Sequence, residues 1–365
     1  MTWRNRVEIS YSALRRNVAV VRAAAGGRAV VAVVKADAYG IGLERCARIF
    51  HDGGVAALAV AAMLEGDRIR RIVPEARVIL LGSPLPEERR AVVASRYEVC
   101  CSSLDEINEY AHLADPGQPM PVHVMVDTGM GRFGARPQEA AAMVARVLTA
   151  SALRLVGIGT HYPQADDGEF AAGQEAIFAD LLANLPPLPN DCWIHYANSE
   201  GLMLRPAGPG AVVRAGLLLT GVVPDSCPDP GVEPALRWVS SLSLTKCLPK
   251  GHSISYNRTH VLSRDTVVGI VPVGYADGFP IALSNRGAVL VQGQRCPVLG
   301  RVTMDYCIID LTDLPHTPVP GEGVVLIGQQ GEERITVTEL ARLAGTIPYD
   351  ILCGLRGRCE VVGIP

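Results

Sequence analysis

The tightest constraint on how this chain can fold is a rhythm. Eight short apolar runs, rich in β-branched residues, recur through the first 220 positions: 29–36, 55–61, 77–82, 97–102, 122–127, 155–161, 192–198 and 212–219. Most are continuously apolar rather than alternating, as expected for parallel strands covered on both faces. Helical stretches such as GLERCARIFHDG, SLDEINEYAHLA and PQEAAAMVARVLTA separate many of them. Strands alternating with helices imply βαβ units on a parallel sheet. Eight such units predict an α/β fold, an eight-stranded parallel (β/α)8 barrel of the TIM type.

A barrel of this kind uses about 250 residues, and the chain has 365. The surplus has another texture. GVVPDSCPDPGVEP is a Pro/Gly-rich break. Beyond it, LRWVSSLSLTKCL, THVLSRDTVVGIVPVGY, GAVLVQG, YCIIDLTDL and GVVLIG read as closely spaced strands, with little helix before TVTELARLAG. The expected division is a barrel over 1–231, its N-terminal residues available to pair with the second domain, and a C-terminal mostly-β domain over 232–365.

Composition narrows the functional classes. A hydrophobic fraction of 48% supports a large core, and 19% charge is too little for a disordered chain. The net charge of -3 gives no basic face for nucleic acid or an anionic membrane. The N-terminus lacks an apolar stretch of signal-peptide length, and no run of about 18 apolar residues exists to span a membrane. Ten cysteines without a C-x-x-C pair read as reduced, mostly buried residues of a cytoplasmic protein. The eight histidines show neither H-x-x-x-H nor H-E-x-x-H, so no metal site is expected.

Barrel active sites lie where the strands end. The polar residues at those ends are Lys35, Arg132 (in DTGMGRFG), His161, Asn198 with Ser199, and Arg214 followed by Gly216. Each has an ordinary reading alone. Lys35 could snorkel to solvent, Gly216 could be a plain turn, and Arg214 could pair with a carboxylate or with a ring nitrogen. His161 and His195 could be satisfied core histidines. Convergence on one rim favours chemistry. A desolvated lysine loses basicity, the condition for a Schiff-base nucleophile. Ser199 and Gly216 fit the binding of a phosphate dianion. Tyr256, in GHSISYNRTH, lies in the second domain; as a base it needs nearby cations, and Arg132 is one candidate.

The motifs VVKADAYG, VDTGMGRFG, HYANSEG, RAGLLLTG, ISYNRTH, VGYADGFP and GRVTMDY occur in that order. Together they resemble the alanine racemase family of fold-type III pyridoxal-phosphate enzymes. The resemblance runs from Glu8-Ile9 to Tyr349. It implies a homodimer whose active sites are shared, the second domain of one chain covering the barrel of the other. It implies a two-base interconversion of L- and D-alanine, supplying D-alanine for peptidoglycan; a relative acting on serine or a broader range of amino acids is the alternative. By the same resemblance Lys35 carries pyridoxal 5'-phosphate covalently and Tyr256 is the second base, given by the partner chain. Tyr39, Ser199 with Asn198, Gly216, Leu217 and Tyr349 hold the cofactor phosphate. Arg214 faces the pyridine nitrogen, flanked by His161 and His195. Arg132 lies near the phenolic oxygen, and Met304, Asp305 and Tyr275 lie near the substrate. Three positions depart from the family pattern. Met125 stands where many members have a lysine, often carbamylated. Thr220 stands where an aromatic is common, and Phe279 where a tyrosine or tryptophan is common.

Overall fold

The computed structural model describes residues 4–206, 210–355 and 358–365. All eight predicted runs become strands of one closed parallel barrel: Ala29–Val33, Ala57–Val60, Val78–Leu80, Glu98–Cys101, Met120–Met125, Leu153–Gly159, Trp193–His195 and Val212–Ala215. The last strand returns to the first, with Val213 beside Val30 and Arg214 beside Val31. Six of the eight strands are shorter than the apolar runs that predicted them, and the other two, Met120–Met125 and Leu153–Gly159, keep the length but start two residues earlier. The run 212–219 illustrates why: its strand stops at Ala215, and Leu217–Thr220 turn into a buried 3-10 helix. Burial explains the apolar character there, not strand pairing.

The helices between strands cover the barrel by ordinary amphipathic logic. Leu43–Asp52 turns Leu43, Cys46, Ala47, Ile49 and Phe50 inward, the i, i+3, i+4, i+7 stripe of a surface helix. Ser103 caps Leu104–Leu113 by accepting from Glu106 N–H; Glu106 reaches back to Ser103 N–H.

Among the described residues, Ser253–Ile254 and His260–Val261 pair as a small separate sheet, and the other strands form one large sheet of mixed direction. Its order runs Leu244–Leu248, Thr266–Val271, Cys307–Asp310, Gln294–Leu299, Ala288–Val291, Gly323–Gln330, Leu236–Ser241, Asn5–Ser10, Glu360–Ile364, with Glu333–Ile335 paired to Gly323–Gln330. Leu236–Ser241 alternates buried and half-buried positions, as a strand with one covered face does. The strand Asn5–Ser10 lies antiparallel to Leu236–Ser241 and parallel to Glu360–Ile364. Two contacts join the C-terminal part of the chain to the barrel near the rim where the strands end. Asn17 donates to the carbonyls of Leu219 and Glu233 and accepts from Glu233 N–H. The helix Pro348–Gly354 packs on the turn that follows Lys35. No helix among the described residues is long and apolar enough to cross a membrane.

Candidate active site

Lys35 begins where the first barrel strand ends. The chain then makes a left-handed turn: Ala36, Asp37, Ala38 and Tyr39 have φ of 52, 56, 54 and 59°. For L-residues this costs roughly 1–2 kcal/mol each, so surrounding bonds must hold it. Glu65 accepts from Ala36 N–H at 2.6 Å and from Ala61 N–H at 3.0 Å. Asp37 accepts from Leu43 N–H and from Arg68, which also grips Glu44. Gly40 ends the turn at φ 81°, with Leu352 O so near that a Cβ would stand 2.5 Å from it. The turn fixes Lys35 at the rim in a half-buried setting. Burial lowers its pKa, and Arg132 lowers it further, against opposing contributions from Glu65 and Cys353. The amine is thereby biased toward its nucleophilic, uncharged form.

Beside it the Tyr39 ring meets Tyr349 edge-on, with centroids 5.4 Å apart. Burial pushes both phenols up, Tyr349 to about 12, so both stay protonated donors. Ser199 is buried and accepts from Gly216 N–H at 3.1 Å and Leu218 N–H at 3.4 Å. Asn198 caps the short helix Ser199–Leu204 by accepting from Gly201 N–H. Gly216 has no room for a side chain: a Cβ would lie 2.2 Å from the Tyr39 hydroxyl. Tyr39, Ser199, Gly216 and Leu217 therefore enclose a small polar cradle, with Tyr349 at its side.

Arg214 is buried and pairs with no carboxylate among the described residues. Its guanidinium donates to His195 Nδ1, to His161 Nδ1 at 3.0 Å, and to the carbonyls of Thr160 and Tyr196 at 2.7 and 3.2 Å. The carboxylate that the sequence allowed as a partner is not found among the described residues; imidazole nitrogens and main-chain carbonyls take its place. Burial lowers Arg214 to about 10, partly offset by Cys100 and reinforced by Arg132; it stays charged at neutral pH. Burial, then Arg214, Arg132 and Lys35, lowers His161 to about 3, and burial, then Arg214, His123 and His161, holds His195 well below its ordinary value. The fold therefore prefers both rings neutral. Stability is fully present above pH 6.5, the ordinary histidine value, and is lost as pH falls from there toward 3, because the unfolded chain takes up protons that the fold refuses. The urea midpoint is expected to decline below about pH 6.5, and His161→Gln to flatten part of that decline. Parallel acid limbs in the two proteins would contradict this.

Arg132 is exposed on the loop after Met120–Met125, near enough to act electrostatically on Lys35, His161 and Arg214. Among the described residues its guanidinium makes no ion pair; it lies 5.9 Å from the Phe133 ring centroid. The loop itself is what is fixed. Asp127 accepts from the N–H groups of Gly129, Met130 and Gly131, and Ser102 accepts from Gly134 N–H. Met125 is half-buried against the core. Thr220 turns its hydroxyl onto Leu217 O at 2.7 Å, next to a cavity of about 280 Å³ that reaches Leu236, Ile327 and Val337. Phe279 is buried edge-on to Trp238.

The second-domain candidates stand apart. Tyr256 is 68% exposed, Met304 52% and Tyr275 44%. Asp305 accepts from Arg358, and no hydrogen bond among the described residues uses the Met304 N–H. No hydrogen bond or ion pair among the described residues joins these four to Lys35, Arg132 or Arg214. Glu65, which braces the turn, and His123 and Glu98, which extend the Arg214 cluster, went unnoticed in the sequence. The available signal for the last two was a polar residue inside an otherwise apolar strand (VHVMVD, YEVCCS). No cluster of metal-binding side chains occurs among the described residues.

The same arrangement of chain is found in known proteins. Residues 9–224 match the family model described as alanine racemase, N-terminal domain, and residues 235–362 the C-terminal domain. An alanine racemase of Halothermothrix orenii is 36% identical, covering 98% of this chain and 95% of the relative; one of Symbiobacterium thermophilum is 37% identical over the same shares. The crystal structure of alanine racemase from E. faecalis superposes with a TM-score of 0.92 at 30% identity, covering 100% of both chains. That from Bartonella henselae, with covalently bound pyridoxal phosphate, gives 0.91 at 27% identity and 99% of both. With both domain models matched and the relatives covered along nearly their whole length, this chain belongs to the alanine racemase family.

Proposed function

We propose that this protein interconverts L- and D-alanine with pyridoxal 5'-phosphate. The observation that carries the reading is the pairing of a desolvated Lys35 with the Tyr39–Ser199–Gly216 cradle and a carboxylate-free Arg214 on one barrel rim. These residues fit the cofactor. The cradle, closed by Leu217, Tyr349 and the cap of Asn198, suits its phosphate, and Lys35 is the amine for its aldehyde. Arg214 suits its ring nitrogen. When bound, the cofactor draws electron density from the substrate Cα and makes its proton acidic.

The protein must then handle one proton on two faces, and two bases do this more simply than one that crosses the plane. Lys35 takes the proton from, or returns it to, the face of the D-enantiomer. Tyr256 of the partner subunit serves the L-face. Arg214 withholds a proton from the ring nitrogen, since a guanidinium does not readily release one. The ring would then draw electron density less strongly, and fewer side reactions would follow. Arg132, its loop anchored by Asp127 and Ser102, sits beside the reacting groups. Met304 of the partner subunit, with its N–H unspent, and Tyr275 receive the substrate carboxylate, with the partner's Asp305 close by. A homodimer follows because the division near 231/232 leaves the two bases on different units, with Tyr256 exposed. The buried thiols of Cys46, Cys100, Cys101 and Cys307 suit a reducing cytoplasm.

Incubating the purified protein with each alanine enantiomer and resolving the products by chiral chromatography tests the reading. Approach to an equal mixture from both sides, with a visible absorption band on the protein, is expected. No conversion of either enantiomer would sink it, and faster turnover of serine or a basic amino acid would move it to the alternative substrate. Gly216→Ala probes the cradle. Forcing the Tyr39 hydroxyl aside should cost about 1–3 kcal/mol and loosen the cofactor. Unfolding temperature and the absorbance kept after gel filtration measure both; full retention of each would show that the cradle has slack.

A further inference from the structure

A file of polar side chains runs through the barrel interior, and the mechanism above uses only its first members. Arg214 Nη1 meets His195 Nδ1 at 2.5 Å. His195 Nε2 meets His123 Nδ1 at 3.0 Å, and His123 Nε2 meets Glu98 Oε2 at 3.0 Å. Glu98 in turn accepts a two-pronged bond from Arg77, at 2.7 and 2.9 Å. Arg77 lies over the Trp193 ring, 3.9 Å from its centroid. His123, His195, Glu98 and Arg214 are all buried. The barrel is built around this file. Gly157 and Gly159 leave the space, since a Cβ on either would come within 2.1 Å of His123 and 2.2 Å of His195.

We infer that Glu98 and His123 are positioning residues that set the tautomer of His195 and thereby hold Arg214 as a pure donor toward the cofactor ring. This role rests on Arg214 facing that ring, as proposed above. Donor and acceptor inventory carries it. A guanidinium has only donors, so His195 Nδ1 must accept and its proton sits on Nε2. That proton needs an acceptor, so His123 Nδ1 is bare and the His123 proton sits on Nε2. The file then needs an acceptor-only group at its far end, and Glu98 is that group. Burial raises the Glu98 pKa, but the bonds from His123 and Arg77 outweigh it and hold the carboxylate ionised, at about 2. A doubly protonated His123 would push the His195 proton onto Nδ1, against an Arg214 N–H. A carboxylate that fixes a histidine tautomer from behind is a known device of active sites; here the order passes through two rings.

Glu98→Gln inverts the order without changing the shape. Its carbonyl oxygen goes to the two Arg77 donors and its amide faces His123 Nε2, so both imidazoles must move their proton to Nδ1. Long-range 1H–15N correlation spectra of the histidine-labelled holoenzyme read the tautomers directly, with signals assigned by their loss in His123→Gln and His195→Gln. We expect Nε2–H on both rings in the unaltered protein and Nδ1–H on His195 in Glu98→Gln. We also expect kcat to fall about tenfold or more, with KM for alanine within about twofold and a shifted cofactor absorption band. Nδ1–H on either ring of the unaltered protein overturns the inference whether or not any variant folds. So does a folded Glu98→Gln with the original His195 tautomer. A protein without a visible band would instead count against the cofactor reading and leave the tautomer result to stand alone.

Discussion

Tyr256→Phe nearly abolishes racemisation, by on the order of 10²–10⁴-fold, while the bound cofactor's absorbance stays in place. The expectation comes from how the tyrosine is displayed. Ser255, Asn257 and Arg258, three non-glycine neighbours, sit at φ 61, 63 and 49°. Such backbone strain is found where function requires it. The turn is tied down by Ser255 to Arg301 O at 2.6 Å, and by Asn285, which bonds Thr259 and Gly300. So much bracing serves a side chain that its own chain leaves in solvent. Because Tyr256 is exposed, losing its hydroxyl should barely change stability, and an activity loss can be read as lost chemistry. Exchange of the α-proton with deuterated solvent should fail mainly from the L-enantiomer. Mixing this variant with Lys35→Ala adds a second readout. If sites are shared across a two-fold axis, random exchange restores at most about a quarter of them. Wild-type rates in Tyr256→Phe would refute the assignment; no recovery after verified exchange would refute sharing.

Lys35→Ala is expected to remove both the visible band and activity, the latter by at least about 10⁴-fold, since the proposed mechanism gives one side chain both the covalent attachment and a base. Stability should move the other way. A lysine whose pKa is lowered in the fold is less stable there in its charged form, and this penalty is felt below its ordinary value of 10.5. At pH 7 the variant freed of cofactor should unfold at the same urea concentration or a higher one, and the gap should close as pH rises toward 10.5. A variant markedly less stable at pH 7 would show that the amine is held by a partner rather than desolvated. An unchanged visible spectrum would place the cofactor elsewhere.

Much of the architecture was legible because parallel strands covered on both faces leave a plain trace: eight apolar runs gave eight barrel strands. The rim was legible for a related reason. Lys35, His161 and Ser199 are polar residues set just where apolar runs end, Arg214 lies inside the last run, and a barrel brings such positions together. Other features left no such trace. The left-handed turn at 36–39 is written ADAY, with no glycine before Gly40, because its conformation is held by Glu65 and Leu352 from outside and by the bonds of Asp37 within it. Arg214 found imidazoles and carbonyls instead of a carboxylate, a choice made by strands distant in sequence. Glu98 and His123 sit within strands that otherwise read as wholly apolar. The target of Tyr256, if the shared site is right, lies on another polypeptide, where no pattern along one chain can point.

The strand Asn5–Ser10 carries a consequence in time. Its two neighbours are Leu236–Ser241 and Glu360–Ile364. On a ribosome adding about 5–20 residues per second, this strand waits on the order of ten to fifty seconds for its first neighbour and longer for its second. Through that interval the nascent chain carries an open β-edge while the barrel condenses beside it, a period when a chaperone, or a second copy of the same strand, can reach it first.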